Sequence, residues 1–258
     1  MSDSLQINIK GHVAVLTLDN PPANTWTLEN LQVLQATIIE FNNNQQITAL
    51  IIHAASDRFF SAGADLKLFN GVSEKEARVM ADAFGKAFEV LTDFSGLSIA
   101  AIGGYAMGGG LEVALACDLR IAEPQAVLAL PEASVGLLPC AGGTQNLTLL
   151  VGEGWAKRMI LCGEKINGSQ ALDIGLVEQL VDKGECLQVA EALALKTQDQ
   201  SPDAIRACKK LIQMGRHAPI RSALAMEREL FVQLFAGENQ KEGVAAFLEK
   251  RKPQWHYD

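Results

Sequence analysis

Gly103-Gly104-Tyr105-Ala106-Met107-Gly108-Gly109-Gly110-Leu111-Glu112 follows the apolar run Ser98 to Ile102 and leads into Leu111 to Ala116. It reads as strand, tight turn, then helix start. A second stretch of the same kind, Phe59-Phe60-Ser61-Ala62-Gly63-Ala64-Asp65-Leu66-Lys67, comes after the run Ala49 to His53. Small residues in such a turn leave backbone N–H groups uncovered. At a helix N-terminus those groups point outward with the positive end of the dipole behind them. Two of them aimed at one point make an oxyanion hole. Glycines also serve simply to let a helix lie close on a sheet, and glycine content alone favours that plainer role. Neither stretch is a phosphate loop: Gly108 is followed by Gly109 and Gly110 instead of Lys and Ser or Thr, and G-x-G-x-x-G is absent there.

Strands and helices alternate around these two stations. His12 to Asp19 and Ala49 to His53 are β-branched, nearly continuous apolar runs, as expected of strands buried on both faces. Between them Leu28, Leu31, Leu34, Ile38 and Phe41 recur at helical spacing after Pro21-Pro22. Ser73-Glu74-Lys75-Glu76 is a capping box that predicts a helix running towards Phe94. Short strands are expected at Ser98 to Ile102, Val127 to Leu130 and Val177 to Val181. The pattern is α/β.

Past Lys196 no strand candidate remains. Ser201-Pro202 opens a helix that Gly215 can close, Ala218 to Ala236 is periodic again, and a last helix is expected over Glu238 to Lys252, ending at Pro253. The chain therefore divides into an α/β core, residues 1–195, and a helical region, residues 196–258, whose apolar stripes need a partner surface.

Composition narrows the function. The 258 residues are 48% apolar and 20% charged, with 22 Lys and Arg against 30 Asp and Glu for a net charge of −8. That balance offers no basic field for a nucleic-acid backbone. Met1-Ser2-Asp3-Ser4-Leu5-Gln6 lacks the basic start and apolar run of a secretory signal, and glycines interrupt the longest charge-free stretch, so a membrane span is not expected. Five widely spaced cysteines without a C-x-x-C pair point to reduced thiols in a cytoplasmic setting rather than to disulfides or zinc. His12, His53, His217 and His256 are scattered, no metal site is expected, and no G-x-S-x-G elbow occurs. Met107 reads as pocket lining.

Two carboxylates change the weight of the glycine stations. Glu112 falls in the first turn of an otherwise apolar helix, where the dipole favours a negative charge and burial opposes it. Glu132 follows Val127-Leu128-Ala129-Leu130 and Pro131, again among apolar neighbours. Either could be purely structural, but two glutamates beside a candidate oxyanion hole suggest paired acid and base work on a neutral substrate.

At these residues the chain resembles a known family. FSAGADLK (Phe60 to Lys67), GGYAMGGGLEVALACD (Gly103 to Asp118) and ALPEASVGLLPCAGGTQ (Ala129 to Gln145) are similar to the crotonase superfamily, specifically its enoyl-CoA hydratases. The likeness runs from Asn20-Pro21-Pro22 to Ala246-Phe247-Leu248-Glu249-Lys250-Arg251. It implies a crotonase-like (ClpP/crotonase) spiral of β-β-α units with a C-terminal helical trimerisation region, assembled as a homotrimer or a homohexamer. It also implies reversible syn addition of water to 2-enoyl-CoA thioesters, giving 3-hydroxyacyl-CoA, in fatty-acid or related acyl-CoA degradation. No cofactor is implied, because CoA is part of the substrate.

Carried over residue by residue, the N–H groups of Ala64 and Gly109 would hold the thioester oxygen, and Glu112 and Glu132 would hold a water between them. Glu112 would help deliver the water oxygen to C3 and Glu132 would supply the proton at C2. Ala62, Ala64, Asp65, Leu66, Lys67, Gly109, Pro131 and Cys140 would contact the substrate, with Phe247 and Lys250 of a neighbouring subunit closing over the CoA. Lys250 also reads as an ordinary solvated helix end.

Three departures from the family pattern stand out. Cys140 occupies the usual glycine position of a Pro-Gly-Ala-Gly-Gly turn, Asn146 replaces a basic residue, and Ile102-Gly103 replaces Val-Asn. The first bears on hydration efficiency and the others on packing or assembly. Alternative readings are an enoyl-CoA isomerase, for which Glu132 alone could serve, and a non-catalytic acyl-CoA binding protein of the same fold.

Overall fold

The computed structural model describes residues 4–257. Met1-Ser2-Asp3, read above for a leader sequence, and Asp258 lie outside the described residues. In chain order the elements are β1 (Leu5–Lys10), β2 (Val13–Leu18), β3 (Thr25–Trp26), α1 (Leu28–Asn43), β4 (Ala49–Ala54), β5 (Phe59–Ser61), β6 (Gly63–Ala64), α2 (Glu74–Thr92), β7 (Leu97–Ile102), β8 (Tyr105–Met107), α3 (Gly109–Ala116), β9 (Leu119–Ala122) and β10 (Val127–Ala129). There follow α4 (Gly143–Leu161), β11 (Ile166–Asn167), α5 (Gly168–Asp173), β12 (Gln179–Leu180), α6 (Cys186–Leu195), α7 (Pro202–Met214), α8 (Ile220–Leu234) and α9 (Glu238–Leu248).

A large sheet has the order β1-β2-β4-β7-β9-β12, parallel except for β1, and a smaller sheet has the order β11-β10-β8-β5. The two orders reveal a repeat. From β4 the chain passes to β5 and then α2, from β7 to β8 and then α3, and from β9 to β10 and then α4. Each turn adds one parallel strand to both sheets and one helix, which is the expected spiral of β-β-α units.

The apolar runs explain the large sheet. Val13, Val15, Ile51 and Ile99 pack with Ala190 and Ala194 of α6, while Leu16, Leu50 and Ile52 join the main core with Leu34 of α1 and Phe88 of α2. Alternate residues of one strand thus fill two cores, so both faces must be apolar. The capping box at Ser73 forms as read: its hydroxyl accepts from the Glu76 N–H, and Glu76 accepts from the Ser73 N–H.

Four details depart from the sequence reading. Leu5–Lys10 is a strand, paired antiparallel with β2 across a turn at Gly11. The strand expected over Val177 to Val181 is only Gln179–Leu180. Asp65 caps a single 3-10 turn, Leu66–Phe69, instead of opening an α-helix, so a full helix dipole stands only behind the second station. The last helix stops at Leu248, because Lys250 turns the chain with a φ of 56°.

The helical region is tied to the core through α7. Lys209 Nζ donates to Asp118 Oδ2 at 2.7 Å and to the Gly96 carbonyl at 2.8 Å, and Gln213 donates to the Thr92 carbonyl. Among the described residues no helix is long and apolar enough to cross a membrane.

Candidate active site

Both glycine stations open onto one cavity of about 700 Å³. They touch through glycine: a Cβ added at Gly63, whose φ is +87°, would lie 2.5 Å from the Met107 carbonyl oxygen and 3.1 Å from the Gly109 nitrogen. Only a residue without a side chain brings β6 against the start of α3 in this way. Gly108 is the second such position. Its φ is +54°, its N–H donates to the Ala129 carbonyl, and a Cβ there would lie 2.9 Å from Glu132 Oε1. Gly108 therefore lets the chain turn into α3 while the Glu132 carboxyl sits against the turn. Ala64 and Gly109, the expected oxyanion pair, both line the cavity.

Glu112 and Glu132 line it as well. Glu112 lies one turn into α3 and is 3% exposed. Its Oε1 accepts from the Ala141 N–H at 2.8 Å and the Gly143 N–H at 2.9 Å. Burial pushes its carboxyl above the ordinary range, and those two donors oppose the shift. Glu132 begins a 3-10 turn, Glu132–Val135, and among the described residues its buried Oε2 has no hydrogen-bond partner. Burial raises its pKa to about 7, with the charge of Glu112 adding to the rise and its own backbone N–H opposing it. Both carboxyls are thus raised, Glu112 against the pull of two N–H donors, and Glu132 to about 7, where it can hold or release a proton near neutral pH. Two carboxyls with environments that differ in this way can divide base and acid work.

Of the other expected contact residues, Ala62, Leu66, Pro131 and Cys140 line the cavity, as does Met107. Asp65 and Lys67 do not. The Asp65 carboxylate accepts from the Lys67 N–H at 3.0 Å, capping the 3-10 turn. Phe247, 83% exposed on α9, and Lys250 lie outside the cavity of their own chain. The N–H groups that the turn after Pro139 gives to Glu112 are those of Ala141 and Gly143. The Cys140 thiol, inside the cavity, is pushed to about 11 by burial and by the two carboxylates, so it is a neutral wall group.

The loop from Phe69 to Val72 and the helix after it are expected from the sequence to shape the acyl pocket, and Phe69, Ala77 and Ala81 do line the cavity; Val135, Leu138 and Lys165, which also line it, carry no such signal. The 3.6-residue period of α2 puts Ala77 and Ala81 on one face, but the sequence does not say that this is the face the cavity meets. Among the described residues no cluster of three or more His, Cys, Asp or Glu is placed to hold a metal ion.

Comparison with known proteins identifies the family and the fold. The chain matches the family Enoyl-CoA hydratase/isomerase over residues 8–258. It is similar to the short-chain-enoyl-CoA hydratase of Clostridium acetobutylicum, 37% identical with 94% of each chain covered. Its fold is similar to the structure of Pseudomonas aeruginosa DspI, 56% identical with a TM-score of 0.97, covering 99% of this chain and 97% of that one. The crystal structure of enoyl-CoA hydratase from Bacillus anthracis is 33% identical with a TM-score of 0.95, covering 99% of this chain and all of the other. The fold and the family match define a protein of the crotonase class. The chain belongs to the enoyl-CoA hydratase/isomerase family.

Proposed function

We propose that this protein is an enoyl-CoA hydratase that adds water reversibly across the double bond of 2-enoyl-CoA thioesters. The observation that carries the reading is the pair of unlike carboxyls in one cavity with Ala64 and Gly109: Glu112 held by two N–H donors, Glu132 unpartnered at Oε2 and raised to about 7. The N–H groups of Ala64 and Gly109 take the thioester oxygen and draw electron density from C3. Each such donor is worth about 3–4 kcal/mol in the transition state. Glu112, as the anion, takes a proton from the water whose oxygen bonds to C3. Glu132, as the acid, gives its proton to C2, and the double-bond electron pair forms that C–H bond. The carboxyls then exchange their proton difference through the next water. These steps are proton transfers and charge stabilisation, which the chain's own groups supply without a metal ion or added cofactor.

Isomerisation needs a single base moving a proton between C2 and C4. The second carboxyl, with its own pair of N–H donors, favours hydration, and it also disfavours binding without chemistry. The apolar side chains that α8 and α9 leave exposed, including Phe231, Val232 and Phe247, support assembly into a homotrimer or homohexamer. The five free thiols support a cytoplasmic setting.

The test is the loss of enoyl-thioester ultraviolet absorbance when 2-enoyl-CoA meets the purified protein, beside Glu112→Gln and Glu132→Gln. Rapid loss in the wild type and its collapse in both variants are expected. A gain in absorbance on a 3-enoyl-CoA, with none lost on the 2-enoyl isomer, would assign isomerisation instead.

A further inference from the structure

The cavity continues beyond the carboxyls along α2. Phe84, Ala81 and Ala77 lie at intervals of three and four residues, so they form one stripe, and all three line the cavity. Phe84 marks the reacting end of the stripe, because its ring edge would lie 2.9 Å from a Cβ on Gly109. Seven residues separate Phe84 from Ala77, about 10 Å along the helix axis. Alanine at the two further positions leaves space where a larger side chain would fill it. Facing the same space are Phe69, Val135 and Leu138, the last two 52% and 66% exposed. Large apolar side chains left open around a cavity mark a place for an apolar ligand.

Charge narrows the ligand further. Among the described residues, the charged side chain that lines the cavity besides the two glutamates is Lys165, on the segment leading into β11 and not on α2. The stripe itself offers no cation to a carboxylate.

We propose, on the basis of the hydratase reading, that this stripe is an acyl compartment for an uncharged chain of about eight carbons, with Ala77 and Ala81 setting the length. Carbon–carbon bonds of about 1.5 Å at tetrahedral angles advance about 1.25 Å per carbon. The distance from Phe84 to Ala77 is thus about eight carbons, and it begins beside the oxyanion donor. A methylene has about the volume of a water molecule, about 30 Å³. Eight of them take about a third of the cavity and leave the rest for the thioester and pantetheine end.

The test uses saturated thioesters, which bind without turnover. Calorimetry compares butyryl-, hexanoyl-, octanoyl- and adipyl-CoA on the wild type, Ala81→Phe and Ala77→Phe, with thermal melts to verify that the variants are folded. A fully buried methylene strengthens binding about fourfold. Octanoyl-CoA is therefore expected to bind at least tenfold more tightly than butyryl-CoA, with that ratio reduced at least tenfold in Ala81→Phe. Equal affinity for the two chains, or a parallel loss of both in the folded variants, would overturn the compartment. Tighter binding of adipyl-CoA than hexanoyl-CoA would also overturn it and move specificity to Lys165. Turnover of 2-octenoyl-CoA is measured separately. Chain-dependent binding without turnover would sink the hydratase reading alone, and turnover with flat binding would sink the compartment alone.

Discussion

The Gly143 N–H donates to Glu112 Oε1 at 2.9 Å, and a methyl group on Gly143 would lie 2.8 Å from that same oxygen. The first residue of α4 therefore both positions a carboxylate and limits how closely the helix can approach it. Gly143→Ala tests the coupling. The added Cβ would also lie 2.8 Å from Pro139 Cβ, so the helix or the carboxyl must shift. A displacement near 1 Å at a reacting group costs about 100-fold in rate. The variant is expected to lose at least tenfold in kcat, read by the absorbance assay, while remaining folded by circular dichroism.

Glu132 gives a pH dependence with a defined sign. Its carboxyl rises from 4.5 to about 7 on folding. The folded state therefore holds the proton more tightly than the unfolded chain between those values, and stability falls as pH rises through the window. The shift corresponds to about 3 kcal/mol before solvent screening reduces it. Melting temperatures from pH 4.5 to pH 7.5 should decline more steeply in the wild type than in Glu132→Gln. The rate should also fall above about pH 7, where Glu132 loses the proton it must donate. A flat alkaline limb, with no difference between the two melting series, would refute this assignment.

Gly108 is held at a φ of +54° and a ψ of −125°, a conformation that costs a side-chain-bearing residue about 1–3 kcal/mol. Gly108→Ala adds a Cβ 2.9 Å from Glu132 Oε1. Both effects act at the turn that carries Gly109, so the variant should melt at lower temperature and also lose catalysis. Urea titration separates the two, because activity should be low even where the variant is fully folded.

Much of this could be read from the sequence where local chemistry decides structure. The apolar runs of β2 and β4, the capping box at Ser73 and the glycine stations were legible because burial on two faces, side-chain capping and close approach each demand particular residues. The two glutamates stood out as charges among apolar neighbours. What sequence could not supply was distance. That Ala141 and Gly143 would serve Glu112, about thirty residues away, depends on α3 and α4 meeting in the spiral. The helix after Phe69 to Val72 is expected to shape the pocket, but which of its residues face the cavity, Ala77 and Ala81 among them, is settled by packing that the sequence does not show. The strand Leu5–Lys10 did carry a signal, alternating Leu, Ile and Ile before Gly11, but just Leu5 of the six is buried, so the apolar pattern is weak.

Cys140 has a thiol in the cavity and a pKa pushed to about 11. The thiolate is the reactive form, so alkylation by iodoacetamide at pH 7 should be slow, and it should accelerate as pH climbs above 9. Peptide mass spectrometry at several pH values measures this directly. Fast labelling at pH 7 would mean that the thiol is not desolvated in the way its raised pKa requires.

Lys209 is the most buried of the ion-paired lysines, and its pairing with Asp118 joins α7 to the turn before β9. Desolvation lowers its pKa and the Asp118 charge opposes that fall, so the pair is mutually dependent. Asp118 also accepts from the N–H and hydroxyl of Ser98. Lys209→Met keeps the aliphatic stem but leaves that carboxylate with a buried, uncompensated charge, which costs about 3 kcal/mol. Asp118→Asn removes the charge from the other side and should cost a similar amount. Because each single change pays for the same broken contact, the double variant should be markedly more stable than the sum of the two predicts. Urea unfolding of the four proteins measures the coupling. Additive losses would mean that Lys209 and Asp118 stabilise α7 independently, through Gly96 on one side and Ser98 on the other.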